Sequence, residues 1–105
     1  MDKVRIMIAD DHAILRAGLR SLLSAQDDLE LIAEATDGQE AIDKAAEVQP
    51  DVLVLDITMP GRSGIEALGE IRRKCPKTRV LVLTMHDDHA YLRSVLAAGG
   101  AGYLV

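Results

Sequence analysis

Three aspartates and a threonine stand where apolar runs stop. Asp10 and Asp11 follow Val4–Ala9, Asp56 follows the Val-Leu-Val-Leu run at 52–55, and Thr84 follows a second Val-Leu-Val-Leu run at 80–83. Adjacent acids at a strand end often serve only as caps or solvated loop residues. Acids brought together in a cleft are another matter. Two like charges about 4 Å apart repel by roughly 4 kcal/mol at an effective dielectric near 20, and taking an unpaired charge out of water is costly. Asp10, Asp11 and Asp56, if they converge, therefore call for a cation. A set of hard oxygen donors without His or Cys favours Mg²⁺, which uses few carboxylates and completes its shell with waters and phosphate oxygens. Asp56 then has two possible roles: metal ligand alone, or carboxylate nucleophile. Attack on a phosphoryl group beside Mg²⁺ gives an acyl phosphate.

Whether these side chains meet depends on the elements that carry them. Strand-length apolar runs alternate with segments of helical spacing. Strands are expected at 4–9, 29–35, 52–55, 80–83 and from 102 to 105, and helices at 12–25, 39–48, 65–74 and 90–98. The first helix carries Leu15, Leu19 and Leu22 as its apolar stripe, with Arg16 and Arg20 off it. Glu30 and Glu34 interrupt the second strand, which suggests an edge, whereas the unbroken runs at 52–55 and 80–83 read as strands buried on both faces. Asp37-Gly38 marks a turn. Pro50 and Pro76 close the second and third helices, and Gly99-Gly100 stops the fourth. Strict alternation of strand and helix predicts an α/β fold, a doubly wound parallel five-stranded sheet with right-handed crossovers. Such sheets bind ligands outside the carboxyl ends of their strands. That is where Asp10, Asp11, Asp56 and Thr84 stand, whereas the second strand offers only Thr36 and Asp37.

Composition narrows the class. The 105 residues suit one domain. Hydrophobic residues make up 49% and aromatics 2%, so the core must be aliphatic. A net charge of -5 with no basic stripe argues against electrostatic nucleic-acid binding by these residues. The single cysteine, Cys75, has no partner for an internal disulfide or a zinc site and is expected to be structural or incidental. The first residues lack the apolar stretch of a signal peptide, and no apolar run reaches membrane-span length. A soluble, cytoplasmic domain is expected.

Two other chemistries use this scaffold. A dinucleotide site needs a glycine-rich turn after the first strand, but that turn is Ala9-Asp10-Asp11-His12, acidic and without glycine. A phosphatase of the haloacid-dehalogenase type usually carries a second acid two residues after its nucleophile. Here that position is Thr58, and the chain is short for such an enzyme.

The motifs that remain run through the whole chain. They are Ile8-Ala9-Asp10-Asp11-His12, Glu34-Ala35-Thr36-Asp37-Gly38, Pro50-Asp51-Val52, Leu55-Asp56-Ile57-Thr58-Met59-Pro60-Gly61, Leu83-Thr84-Met85-His86-Asp87-Asp88 and Ala98-Gly99-Gly100-Ala101-Gly102-Tyr103-Leu104. In this order they resemble the receiver domain of a bacterial response regulator, of the NarL/FixJ subfamily whose members end in a LuxR-type helix-turn-helix. The resemblance implies a flavodoxin-like receiver fold and a two-component phosphorelay role rather than an enzyme of metabolism. It implies that Asp56 is the phosphoacceptor for a sensor histidine kinase. Asp11 would bind Mg²⁺ directly, Asp10 mainly through water, and the Thr58 carbonyl would complete the protein ligands alongside Asp56. Thr84 would be the switch hydroxyl that moves onto the phosphoryl group, and Tyr103 the aromatic that rotates inward with it. An aspartyl phosphate adds charge and three acceptor oxygens, enough to bias such a two-state element.

Simpler roles exist for several of these residues. Thr84 is a β-former beside a loop, and a Tyr near a strand end, such as Tyr103, commonly packs with its hydroxyl wet. Met59 reads as a loop filler. His12, His86 and His89 have the spacing of ordinary loop and helix-surface residues, and no histidine metal site is expected.

The family's phosphate-pairing lysine falls just past Val105, so none is counted among these residues; its fifth helix and DNA-binding domain are not among them either. DNA contact is expected only through such an output domain. In the family the fifth helix shares a sheet face with the first. That face, carrying Val4, Ile6, Ile8 and Leu104, is expected to be underpacked, so that the chain dimerises through it, exchanges elements between protomers or is only marginally folded. The competing expectation is an interaction or dimerisation module of receiver shape without phosphoryl chemistry.

Overall fold

The computed structural model describes residues 3–56 and 64–83, and the backbone of Gly102–Leu104. Strands β1 (Val4–Ala9), β2 (Leu29–Ala35), β3 (Val52–Asp56), β4 (Arg79–Leu83) and β5 (Gly102–Leu104) form one parallel sheet in the order β2-β1-β3-β4-β5. Helices α1 (Ala13–Ser24), α2 (Gly38–Val48) and α3 (Gly64–Lys74) connect them. The expected doubly wound α/β fold is present, and β2 lies at an edge as its glutamates suggested. The expected helix at 90–98 lies outside the described residues, as do Thr58, Met59, Thr84, His86, His89 and the side chains of Tyr103 and Leu104.

Handedness decides which face each helix covers. The chain moves one way along the sheet from β1 to β2, then the other way from β2 to β3 and on to β4. Right-handed crossovers therefore put α1 on one face and α2 with α3 on the other. The second face holds the core. Met7, Ala9, Leu53, Leu55, Val80 and Val82 are fully buried there against Ala41, Ile42, Ala45, Ala67, Leu68 and Ile71. Alternate residues of a strand point to opposite faces, so Val52, Val54, Leu81 and Leu83 turn toward the α1 face, where each is only half-buried.

This corrects three expectations. β3 and β4 are buried completely on one face, not both, and α1 packs chiefly on β2. Ile6 and Ile8 are buried, so the underpacked part of the α1 face lies at Val52, Val54, Leu81 and Leu83, with Val4 exposed at the strand start. In α1 itself the half-buried stripe runs through Leu19 and Leu23, while Leu22 is 68% exposed. The i+3 step from Leu19 to Leu22 turns only about 300° and falls short of the stripe; the i+4 step to Leu23 keeps the side chain over the sheet.

The amino end of the sheet is tied by polar contacts remote from the acids. Arg5 N–H donates to Asp51 Oδ2 at 2.8 Å, and its guanidinium donates to the carbonyls of Val48 and Gln49 at the end of α2. Buried Thr78 donates its hydroxyl to Pro50 O at 2.6 Å. Arg72 donates to the Thr78 carbonyl. Cys75 is buried, and burial pushes its thiol pKa up. These contacts fix the amino ends of β3 and β4 against α2 and α3, and so hold the register at the opposite end.

Candidate functional site

Register brings the acids together. β1 and β3 are neighbours with Ala9 paired to Leu55, so the residues that follow, Asp10 and Asp56, emerge side by side. Asp10 N–H donates to Ala35 O at 2.9 Å, which extends the β1–β2 ladder by one residue and holds Asp10 in the cleft. Asp10 and Asp56 are 1% and 4% exposed, burial seldom seen for carboxylates without a partner. Asp11 is the more accessible, with its side chain 34% exposed. Donor atoms of Asp10, Asp11, His12 and Asp56 all lie within 4.8 Å of one another.

His12 is the residue that sequence reasoning missed. It is not the first residue of α1 but its N-cap, with extended backbone and no capping bond from its side chain. Its N–H donates to Asp10 Oδ1 at 2.6 Å, closing an Asx-type turn. That turn swings the imidazole back over the acids instead of outward. Nδ1 then lies 2.7 Å from Asp10 Oδ1, 3.2 Å from Asp11 Oδ1 and 3.4 Å from Asp56 Oδ2. The hydrogen bond to Asp10 raises the ring's pKa, and the charges of Asp10 and Asp11 act in the same direction. The spacing of His12 reads as that of an ordinary surface residue, whereas its ring stands beside the three acids. The available signal was an Asp-x-His triplet at a strand end, where the i+2 N–H reaches the i carboxylate.

Arg16 is a second residue of the site's surroundings. Its guanidinium donates to the Asp10 carbonyl at 2.8 Å and approaches Glu34 Oε1 at 3.3 Å. Arg20 forks onto the same Glu34 at 2.8 and 3.0 Å, and Lys44 donates to the Glu34 carbonyl. β2 is thereby tied to α1 and to the loop that carries Asp10.

Asp37, the one acid after β2, is not part of the cluster. It caps α2, its Oδ1 accepting from Glu40 N–H at 2.8 Å, while Glu40 reaches back to accept from Thr36 N–H at 2.7 Å. Thr58 and Thr84 lie outside the described residues. Tyr103 is placed by backbone register alone, paired with Val82, next to the strand whose end Thr84 follows.

Asp10 Oδ2 is buried and has no hydrogen-bond partner among the described residues. A buried carboxylate oxygen without a donor is costly, and here it sits among further carboxylates. The donor set fits a divalent cation.

Fold and acid cleft define a class, and direct comparison agrees. Residues 6–105 match the response regulator receiver domain family, and the chain belongs to it. It is 47% identical over 103 residues to the oxygen regulatory protein NreC of Staphylococcus haemolyticus, a match covering 97% of this chain and 48% of that protein. The chain spans about half the length of the curated relatives it matches. Among solved structures it superposes on the receiver domain of the putative response regulator NarL from Mycobacterium tuberculosis with a TM-score of 0.93 at 36% identity, covering 99% of this chain and 84% of that one. The isolated receiver domain of RcsB from Salmonella enterica serovar Typhimurium, determined with the phosphomimetic BeF3⁻, gives 0.89 at 30% identity, covering 99% and 78%. Among the described residues no helix is long and apolar enough to cross a membrane.

Proposed function

We propose that this receiver domain accepts a phosphoryl group on Asp56 from a sensor histidine kinase and passes the change to a DNA-binding output domain. It acts as a cytoplasmic signalling module and turns over no metabolite. The observation that carries the reading is the pairing of buried Asp56 with buried Asp10 at the carboxyl end of the central strands. Asp10, Asp11, Asp56 and the Thr58 carbonyl would hold Mg²⁺, which supplies neutralisation of the charge that develops on a transferring phosphoryl group. An Asp56 carboxylate oxygen attacks phosphorus, the P–N bond to the kinase imidazole breaks as the P–O bond forms, and the imidazole takes up a proton. Burial of Asp56 limits the access of water that would otherwise hydrolyse the acyl phosphate. Thr84, the residue after β4, and Tyr103 of β5 would serve as the switch pair; the neighbouring position of β4 and β5 in the sheet supports this reading. The relative determined with BeF3⁻ supports a phosphoryl reading over a bare metal site.

The test is intact mass after incubation with acetyl phosphate and Mg²⁺. The chain gains one phosphate; Asp56→Asn, or a chelator, abolishes the gain. Equal gain in Asp56→Asn overturns the assignment.

Self-association belongs to the same reading. Ile14 and Leu22 on α1 are 89% and 68% exposed, and Leu15 and Val4 are exposed beside them in the sequence of elements. Exposed apolar side chains in this number favour pairing with a second copy.

A further inference from the structure

We propose that His12 is a metal ligand: Nδ1 adds one nitrogen to the carboxylate site, which makes it receptive to later first-row divalent ions beyond the Mg²⁺ that oxygen donors alone would serve. The inference rests on the reading of the acid cleft as a cation site and deepens it.

Geometry carries the case. An octahedral ion with bonds near 2.1 Å keeps neighbouring ligand atoms about 3.0 Å apart. His12 Nδ1 lies 2.7, 3.2 and 3.4 Å from one oxygen each of Asp10, Asp11 and Asp56. Those spacings bracket that value, and the donor atoms of all four residues lie within 4.8 Å of one another, so one ion could be reached by the nitrogen and the carboxylates together. The ring is held there by its own backbone, through the His12 N–H bond to Asp10 Oδ1. An independent sign of a missing ligand is Asp10 Oδ2, buried and without a hydrogen-bond partner among the described residues. The side chain is 61% exposed and makes no capping bond to α1, so it can be removed without disturbing the helix start.

Chemistry then separates the ions. Carboxylate, carbonyl and water suit Mg²⁺ and Mn²⁺, whereas imidazole adds affinity for Ni²⁺, Cu²⁺ and Zn²⁺. The ring ligates as neutral imidazole, its lone pair on Nδ1 and its remaining proton on Nε2. The informative quantity is how the preference between ions changes when the nitrogen is removed.

The experiment is calorimetric titration of the whole chain with Mg²⁺, Ni²⁺ and Zn²⁺, for wild type and His12→Ala, with the Cu²⁺ EPR spectrum of each. His12→Ala should lower Ni²⁺ and Zn²⁺ affinity by about tenfold or more and leave Mg²⁺ within about twofold. The wild-type Cu²⁺ spectrum should carry nitrogen coupling that His12→Ala removes. Nitrogen coupling that persists in His12→Ala overturns the proposal, as does an equal fall for all ions. A rise for all ions also overturns it and makes the ring a plug that a metal displaces. In each of those cases Mg²⁺ binding leaves the cation site standing. No binding of any ion overturns both.

Discussion

His12 Nδ1 stands 2.7 Å from Asp10 Oδ1, closer than it stands to Asp11 or Asp56. The contact joins a buried acid of the strand end to the residue that opens α1. It sets an imidazole within reach of all three carboxylates of the cleft.

Asp11 is the most exposed of the three acids, so its substitution leaves the packing intact while changing the charge. Asp11→Asn should weaken Mg²⁺ binding strongly. Thermal melts with and without Mg²⁺ check it: a metal-induced shift in wild type that survives in Asp11→Asn contradicts the role of Asp11.

The clamp on Glu34 predicts a pH dependence. Hydrogen bonds from Arg20 hold the Glu34 carboxyl below its usual range, burial opposes them, and the charges of Arg20 and Arg16 add to the lowering. A carboxyl whose folded pKa is depressed stabilises the fold above its unfolded value, and that contribution is lost as pH falls through the folded one. Glu34→Gln should therefore cost at most about 1 kcal/mol near neutral pH, as for other partly exposed pairs. The gap between wild type and Glu34→Gln should close as the pH drops below 4.5, the carboxyl's unperturbed value. Urea melts at both ends of that range check it; a gap that widens in acid contradicts it.

Much of this architecture was legible in the sequence because it follows from periodicity. Unbroken apolar runs gave the strands, and the residue after each run gave Asp10, Asp11 and Asp56. The edge position of β2 was visible in Glu30 and Glu34. What was not legible depends on directions rather than types. Whether Leu22 or Leu23 faces the sheet is a rotation of α1 by one residue, about 100°. The half-burial of Val52 and Val54 depends on how far α1 extends across the sheet. The placement of His12 depends on a turn closed by Asp10, which converts a surface-looking histidine into a neighbour of three acids.

At the amino end of the sheet, Thr78 Oγ1 donates to the Pro50 carbonyl at 2.6 Å in a fully buried setting. Thr78→Val keeps the shape and strands the carbonyl. It should cost about 1–3 kcal/mol of stability and leave metal binding unchanged, because the site lies at the other end of the strands. Chemical denaturation and a Mg²⁺ titration of the variant check the two halves; a stability equal to wild type would mean the bond contributes nothing.

Association through exposed apolar side chains predicts concentration dependence. Light scattering should show a mass rising above 11.3 kDa with concentration, and Leu22→Glu should shift it back toward the monomer. A monomer mass that holds across the concentration range contradicts this.

The central claim is that the carboxylate of Asp56 takes the phosphoryl group, and trapping the bond tests it most directly. The chain is treated with acetyl phosphate and Mg²⁺, reduced with borohydride and mapped by peptide mass. Borohydride converts an acyl phosphate to the alcohol, so the account predicts homoserine in place of Asp56, with Asp10 and Asp11 unchanged and no conversion when Mg²⁺ is chelated. Conversion at Asp10 or Asp11 instead, or none at any aspartate under conditions where Mg²⁺ is bound, would contradict it.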